Sequence, residues 1–215
     1  MSKIIAIANQ KGGTGKTTTS VHLAYWLSQQ NRVLVVDADA QQSGTTWLEY
    51  LHLPCEIIND PDELFDRLPQ LKEQYDFVVV DGPASLSETT RVILTRADLT
   101  LVPCKPAGLD MHSSNRVIRL IRQARDLRGG LPHAALFLNQ AKRGTVLLRE
   151  ARAALADSEI TLLDAVIYDR QAITDAPSQG QVVWQMSSAA AKQAATEFTQ
   201  LFEEAWEKLS DDRAE

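Results

Sequence analysis

Nine residues, Gln10-Lys11-Gly12-Gly13-Thr14-Gly15-Lys16-Thr17-Thr18, constrain this chain more than any other segment. They follow the apolar run Ile4-Ile5-Ala6-Ile7-Ala8 and precede an amphipathic stretch from Val21 to Leu27. Strand, glycine-rich turn and helix, in that order, form a backbone cradle for a polyphosphate. The glycines let N–H groups turn inward where a side chain would block approach. Lys16 then reaches the outer phosphates, and the Thr17 hydroxyl is placed to ligate magnesium. The expected ligands are a polyphosphate and Mg2+, with Gly12, Gly13, Thr14, Gly15, Lys16, Thr17 and Thr18 around the phosphates.

Two later strands end in acids. Arg32-Val33-Leu34-Val35-Val36-Asp37 is a buried-type run that leads into Ala38-Asp39-Ala40-Gln41-Gln42-Ser43-Gly44-Thr45. Carboxylates at that end, beside the glycine loop, can position an attacking water or hold metal-bound water. Tyr75-Asp76-Phe77-Val78-Val79-Val80-Asp81 repeats the pattern. Asp81 is expected to hold magnesium through water, with Asp37 a second candidate for the same role. Gly82-Pro83-Ala84-Ser85 follows as a corner suited to sensing an outer phosphate.

The remaining chain keeps one rhythm. Apolar runs near Glu56–Ile58, Leu99–Pro103, Ala134–Asn139 and Thr161–Ile167 predict strands. Helical periodicity covers Thr45–Leu51, Asp62–Glu73, Ser87–Arg96, Leu109–Arg128, Val146–Ala156 and Ser187–Leu209, and Pro177-Ser178-Gln179-Gly180 reads as a loop. Such alternation predicts an α/β fold: a doubly wound, mostly parallel sheet with helices on both faces. No linker, repeat or low-complexity block interrupts it, so residues 1–215 are expected to form a single domain.

Other signals are brief. Cys55 and Cys104 lack C-x-x-C spacing, as suits a reducing cytosol. The amino terminus reads as a strand rather than a leader, and no apolar run approaches membrane-spanning length. His22, His52, His112 and His133 are scattered without metal-ligand spacing.

The glycine loop departs from G-x-x-x-x-G-K-[ST]: Gln10 replaces the first glycine and a second lysine, Lys11, precedes Gly12. This resembles the deviant Walker A motif K-G-G-x-G-K-[ST] of the ParA/MinD ATPases, and among them the short, ParF-like plasmid partition proteins. Asp37-Ala38-Asp39-Ala40-Gln41 resembles that family's D-x-D-P-Q motif with Ala40 in place of proline. Pro103, Pro106, Asp110 and Ala176-Pro177-Ser178-Gln179-Gly180 extend the resemblance along the chain. The resemblance implies a cytoplasmic, nucleoid-associated bacterial ATPase that forms an ATP-sandwiched homodimer. Lys11 would then cross to the partner's nucleotide, as an arginine finger in trans does elsewhere for on the order of 10³–10⁵ in rate. It further implies Asp39 as the residue tied to hydrolysis, Pro177 as part of the adenine enclosure, and non-specific binding to DNA. A ParB-like or cargo adaptor protein would stimulate turnover, so that a plasmid, chromosome region or microcompartment such as a carboxysome is moved. The P-loop begins at once, so the amino-terminal helix-turn-helix domain of longer relatives is not expected.

DNA binding requires basic surface on a chain of net charge −6. Arg116, Arg119, Arg122, Arg125 and Arg128 recur every third residue, and the first four spread over the face opposite Val117, Leu120, Ile121, Ala124 and Leu127. Lys142, Arg143, Arg149 and Arg152 form a second cluster. Three other activities use the same phosphate loop. A MinD-like membrane positioner needs a basic amphipathic carboxyl-terminal helix, whereas this tail is acidic, so stable membrane association is not expected. A nitrogenase-reductase-like carrier needs cluster-ligating cysteines, and Cys55 lies before the Asp81 strand. A dethiobiotin-synthetase-like ligase would activate a carboxylate, but Lys11 and the lack of a substrate-binding insertion favour the partition reading.

Overall fold

A computed structural model describes residues 2–42, 44–85, 87–106 and 111–211. Seven strands, β1 (Lys3–Ile7), β2 (Val33–Asp37), β3 (Cys55–Ile57), β4 (Phe77–Asp81), β5 (Leu99–Cys104), β6 (His133–Ala141) and β7 (Thr161–Tyr168), form one sheet in the order β3-β2-β4-β1-β5-β6-β7. Every pairing is parallel. The helices are α1 (Lys16–Ser28), α2 (Thr45–Tyr50), α3 (Pro61–Gln74), α4 (Glu88–Arg96), α5 (Met111–Arg128), α6 (Val146–Ala156), α7 (Gln171–Asp175) and α8 (Ala189–Asp211). β2, β3 and β4 lie on one side of β1, with β4 inserted between β1 and β2, and β5, β6 and β7 follow on the other side, so loops diverge at the carboxyl end of β1 and open a crevice there.

The core explains why the strands read as unbroken apolar runs. Ile5 and Ile7 of β1 pack with Leu23 and Leu27 of α1 and with Phe198 and Phe202 of α8. Ile4 and Ala6, on the opposite face, join Leu64, Leu68 and Leu71 of α3 and Ile93 of α4. Further along that face, Val102, Leu136 and Leu138 meet Val117 and Ile121 of α5 and Leu155 of α6. A strand covered on both faces has no polar side to alternate with. At the amino ends of the strands, buried Asp98 accepts the Ile4 N–H at 2.8 Å and the Lys72 ammonium at 2.7 Å.

The predicted strands and long helices are present, with small shifts. β3 begins one residue early, and Ser87 precedes α4 rather than opening it. Helix α7 and the short 3₁₀ turn Val183–Gln185 are shorter than two periods and left no pattern to read. One expectation is corrected: Leu127 is 79% exposed, not part of the inner face of α5. Arg125 and Arg128 instead are half-buried, donating to the Pro132 carbonyl at 2.9 Å and to the Ala97 carbonyl. Ser43, Leu109, Asp110 and the tail residues 212–215, all invoked from the sequence, lie outside the described residues.

Candidate active site

The phosphate loop hangs between the end of β1 and the start of α1. Asn9 anchors it, its amide donating to the Pro103 carbonyl at 2.7 Å while its oxygen accepts the Lys11 N–H at 3.2 Å. Gly13 (φ 71°) and Gly15 (φ 88°) take left-handed backbone, and Gly15 is the residue preceding α1. No side chain caps α1 and no acid lies in its first turn. Its amino-terminal N–H groups and dipole therefore face the loop interior, which favours an anion there. Thr14 and Lys16 are buried; the Lys16 ammonium lies 3.4 Å from the Lys11 carbonyl, folded back over the loop. Lys11 itself is exposed on the rim.

The strand register delivers the acids. Ile7, Asp37 and Asp81 lie level on adjacent strands, so both carboxylates stand beside the loop. Asp81 is buried and accepts the Ser20 hydroxyl at 3.0 Å and a hydrogen bond from Thr17. Burial pushes its carboxyl up to about 7, a rise that the hydroxyls and Lys16 oppose and the Asp37 charge adds to. Burial also raises Asp37, which accepts the Asp39 N–H at 3.1 Å and the Thr45 hydroxyl at 3.3 Å. Burial lowers Lys16, against the pull of Asp81 and Asp39. Two desolvated carboxylates and the Thr17 hydroxyl form an all-oxygen donor set with Lys16 beside it, two negative charges against one positive, which fits magnesium.

Asp39 is half-buried at the same end. Its carboxylate accepts the Gln41 N–H at 3.1 Å and its carbonyl the Gln42 N–H at 2.9 Å. An aspartate turn thus makes the corner for which the resembling motif uses proline, and Ala40 is tolerated. Gly44 follows so closely on Thr17 that a Cβ there would lie 3.0 Å from the Thr17 methyl.

A cleft of about 260 Å³ extends sideways from the loop, bordered by Gly15, Thr18, Asn139, Gln140, Tyr168 and Pro177. Pro177 therefore shares one cavity with the phosphate loop. Asn139 and Gln140 were not singled out from the sequence. Asn139 donates to the Thr14 carbonyl at 2.7 Å and Gln140 to the Gly13 carbonyl at 3.0 Å, so the end of β6 grips the loop directly. They reach it because β6 bulges: Leu138 and Ala141 are three residues apart while their β7 partners Val166 and Tyr168 are two apart, and Gln140 has φ 54°. The readable signal was two carboxamides ending an apolar run.

Against this geometry, a family model described as "CobQ/CobB/MinD/ParA nucleotide binding domain" matches residues 5–183. The chain belongs to the ParA/MinD family. Among characterised members it is 31% identical over 207 residues to the maintenance of carboxysome distribution protein A of Halothiobacillus neapolitanus, covering 93% of this chain and 94% of that one. Its fold matches an ATP complex of Cyanothece McdA with TM-score 0.75 at 19% identity, covering 97% of this chain and 96% of that one. The septum site-determining protein MinD of Pyrococcus horikoshii, complexed with Mg-ADP, matches with TM-score 0.73 at 22% identity over 92% and 94% of the two chains.

The basic residues of this ParA/MinD member divide by their partners. Arg122 pairs with Glu159 at 3.0 Å, Arg152 with Asp164 at 3.2 Å, and Arg143 with Glu197 at 3.4 Å while lying over the Tyr168 ring. Arg116, Arg119, Lys142 and Arg149 are exposed and pair with no acid among the described residues. No helix among the described residues is long and apolar enough to cross a membrane.

Proposed function

We propose that this chain is an ATP-hydrolysing positioning protein that dimerises around ATP, binds DNA without sequence preference and moves a cargo. The observation that carries this reading is the convergence of Lys16, Thr17, Asp37, Asp39 and Asp81 on the open amino end of α1, with Lys11 exposed on the rim of the same loop. The loop N–H groups and Lys16 bind the phosphates. Thr17 would hold magnesium directly and Asp81 through water, with Asp37 supporting that water. The ion supplies charge neutralisation to the transferring phosphoryl group. Asp39, partly exposed and not committed to the buried pair, orients the attacking water. The cleft beside Gly15 takes the nucleoside, with Pro177 on its outer wall.

Dimerisation follows from where Lys11 stands. A cation on the rim serves a second molecule's phosphates better than those behind it, so two copies face each other through ATP. The 31% identical carboxysome distribution protein supports a cargo-positioning role. A microcompartment is one cargo, a plasmid or chromosome region another, and a ParB-like or cargo adaptor protein is the expected stimulator of turnover. We read residues 1–215 as one such ATPase unit in the bacterial cytoplasm, associated with the nucleoid, since a single sheet unites the described strands. Arg116, Arg119, Lys142 and Arg149 lead as phosphate contacts, and Arg122, Arg143 and Arg152 follow, each needing to leave an acid first.

The test is binding to random-sequence duplex DNA with ATP, with ADP and without nucleotide, each across a salt series. The expected result is binding with ATP alone that weakens steeply with salt. No binding under any condition removes the DNA-based mechanism. An Asp39→Ala variant should retain the ATP-dependent dimer yet turn over at least tenfold more slowly; wild-type turnover would strip Asp39 of its role. A Lys11→Ala variant that still dimerises with ATP would reduce Lys11 to a loop lysine.

A further inference from the structure

Pro177, which borders the cleft, opens a loop running to Val183 that is held from behind by side chains outside the phosphate machinery. Trp47, buried in α2, donates its indole N–H to the Gln181 carbonyl at 2.9 Å. His22, wholly buried in α1, lies 2.7 Å from the Thr18 carbonyl through Nδ1 and 3.4 Å from the Val183 N–H through Nε2. A nitrogen facing a carbonyl must donate and one facing an N–H must accept, so the proton sits on Nδ1. Trp47 meets the His22 ring edge-on at 5.5 Å. One turn further along α2, the Tyr50 ring abuts Gly180: a Cβ there would come within 2.9 Å, and Gly180 has φ 60°.

Helix α2 is also fixed at its other end. Gly44 lies against Thr17, and Thr45 donates to Asp37. With 1.5 Å rise per residue, Thr45 and Tyr50 are separated by roughly 8 Å along the axis. The helix is therefore a short bracket with its base on the phosphate side and its tip on the nucleoside wall.

We infer that Trp47 is a positioning residue for nucleoside binding, setting the Pro177 wall through its hydrogen bond to Gln181. The inference rests on the reading of the cleft as the nucleoside site. Trp47 does not border the cleft itself; it acts on the wall through Gln181, and its other neighbour, His22, bonds the carbonyl of the cleft-lining Thr18. Its partner is a backbone carbonyl in a segment without regular structure, where the bonds from Gln181 N–H to the Ala176 carbonyl at 3.1 Å and from Gly180 N–H to the Pro177 carbonyl at 3.1 Å stay within the loop, so Trp47 ties that turn to α2.

The test compares Trp47→Phe, which keeps an aromatic ring in the core and removes the donor, with Tyr50→Ala, which removes an exposed ring from Gly180. Dissociation constants are measured for ATP, ADP and inorganic tripolyphosphate, alongside melting temperatures. Trp47→Phe should weaken both nucleotides about two- to tenfold, the range that one hydrogen bond's net worth converts to. Tripolyphosphate affinity should stay within about twofold, because the phosphate loop is untouched. Tyr50→Ala should shift the nucleotides in the same direction and carries the test if the core variant does not fold. Equal weakening of tripolyphosphate and nucleotides would make Trp47 merely structural, and unchanged nucleotide affinity in both variants would overturn the inference. Wild-type protein that binds ATP no more tightly than tripolyphosphate would instead refute the nucleoside reading of the cleft, and the inference with it.

Discussion

His22 ties folding stability to pH with a sign and size that can be worked out. Burial drives its imidazole from 6.5 down to about 4, against the opposing Thr18 carbonyl contact. The ring stacks on Phe198 at 4.4 Å, so a charged imidazolium there would sit among aromatic faces, and no carboxylate among the described residues offsets its burial. The unfolded chain takes up a proton near pH 6.5, whereas the folded chain resists until about 4. Stability tied to the neutral ring is thus whole above pH 6.5 and is lost as pH falls through that window. At 1.36 kcal/mol per unit the full loss is about 3 kcal/mol, and about 2 kcal/mol of it falls between pH 7 and pH 5. Urea unfolding of nucleotide-free protein at those two pH values, with His22→Gln beside the wild type, isolates the effect. Asp81, raised to about 7, works in the opposite direction, but it does so in both proteins and cancels in the comparison. The wild type should lose about 2 kcal/mol more than the variant on acidification. Parallel losses would refute the assignment of a buried, neutral His22.

Three further perturbations probe other parts of the argument. Gly15→Ala would place a Cβ 2.3 Å from the Asn139 amide at φ 88°; it should abolish ATP binding in a calorimetric titration and cost about 1–3 kcal/mol of stability, and retained binding would refute the tight β6–loop contact. Glu204 accepts the Asp164 and Ala165 N–H groups at 2.8 and 2.9 Å on the outermost strand β7; Glu204→Ala should leave that edge open and produce concentration-dependent association by light scattering, which a protected edge would not show. Removing the Asp98 carboxylate (Asp98→Ala) should destabilise by about 3 kcal/mol, because Lys72 and the Ile4 N–H lose their shared partner; a loss under about 1 kcal/mol in urea unfolding would show that water replaces it.

What could be read in the sequence and what could not separates along a physical line. The phosphate loop, Asp37 and Asp81 were legible because strand, turn and acid are consecutive and parallel pairing forces strand ends level, as Ile7, Asp37 and Asp81 are. The two-sided core was legible because unbroken apolar runs have no other stable burial. The grip of Asn139 and Gln140 depends on a one-residue bulge in β6, which the hydrophobic pattern does not encode. Arg125 and Arg128 fit an arginine stripe at helical spacing, yet their guanidinium groups find the Pro132 and Ala97 carbonyls, partners that no periodicity reveals.

The same limit bears on the basic surface. Spacing treats Arg116, Arg119, Arg122 and Arg125 as equivalent, whereas only the first two are exposed without an acidic partner among the described residues. An arginine already paired must surrender its carboxylate before it reaches a phosphate, so its net gain is smaller than that of an unpaired one. Charge reversal at Arg116 and Arg119 should therefore reduce ATP-dependent DNA affinity more than reversal at Arg122 and Arg125, although the two pairs look identical in the sequence. Equal effects would mean that the summed charge of the helix, rather than its available cations, determines binding.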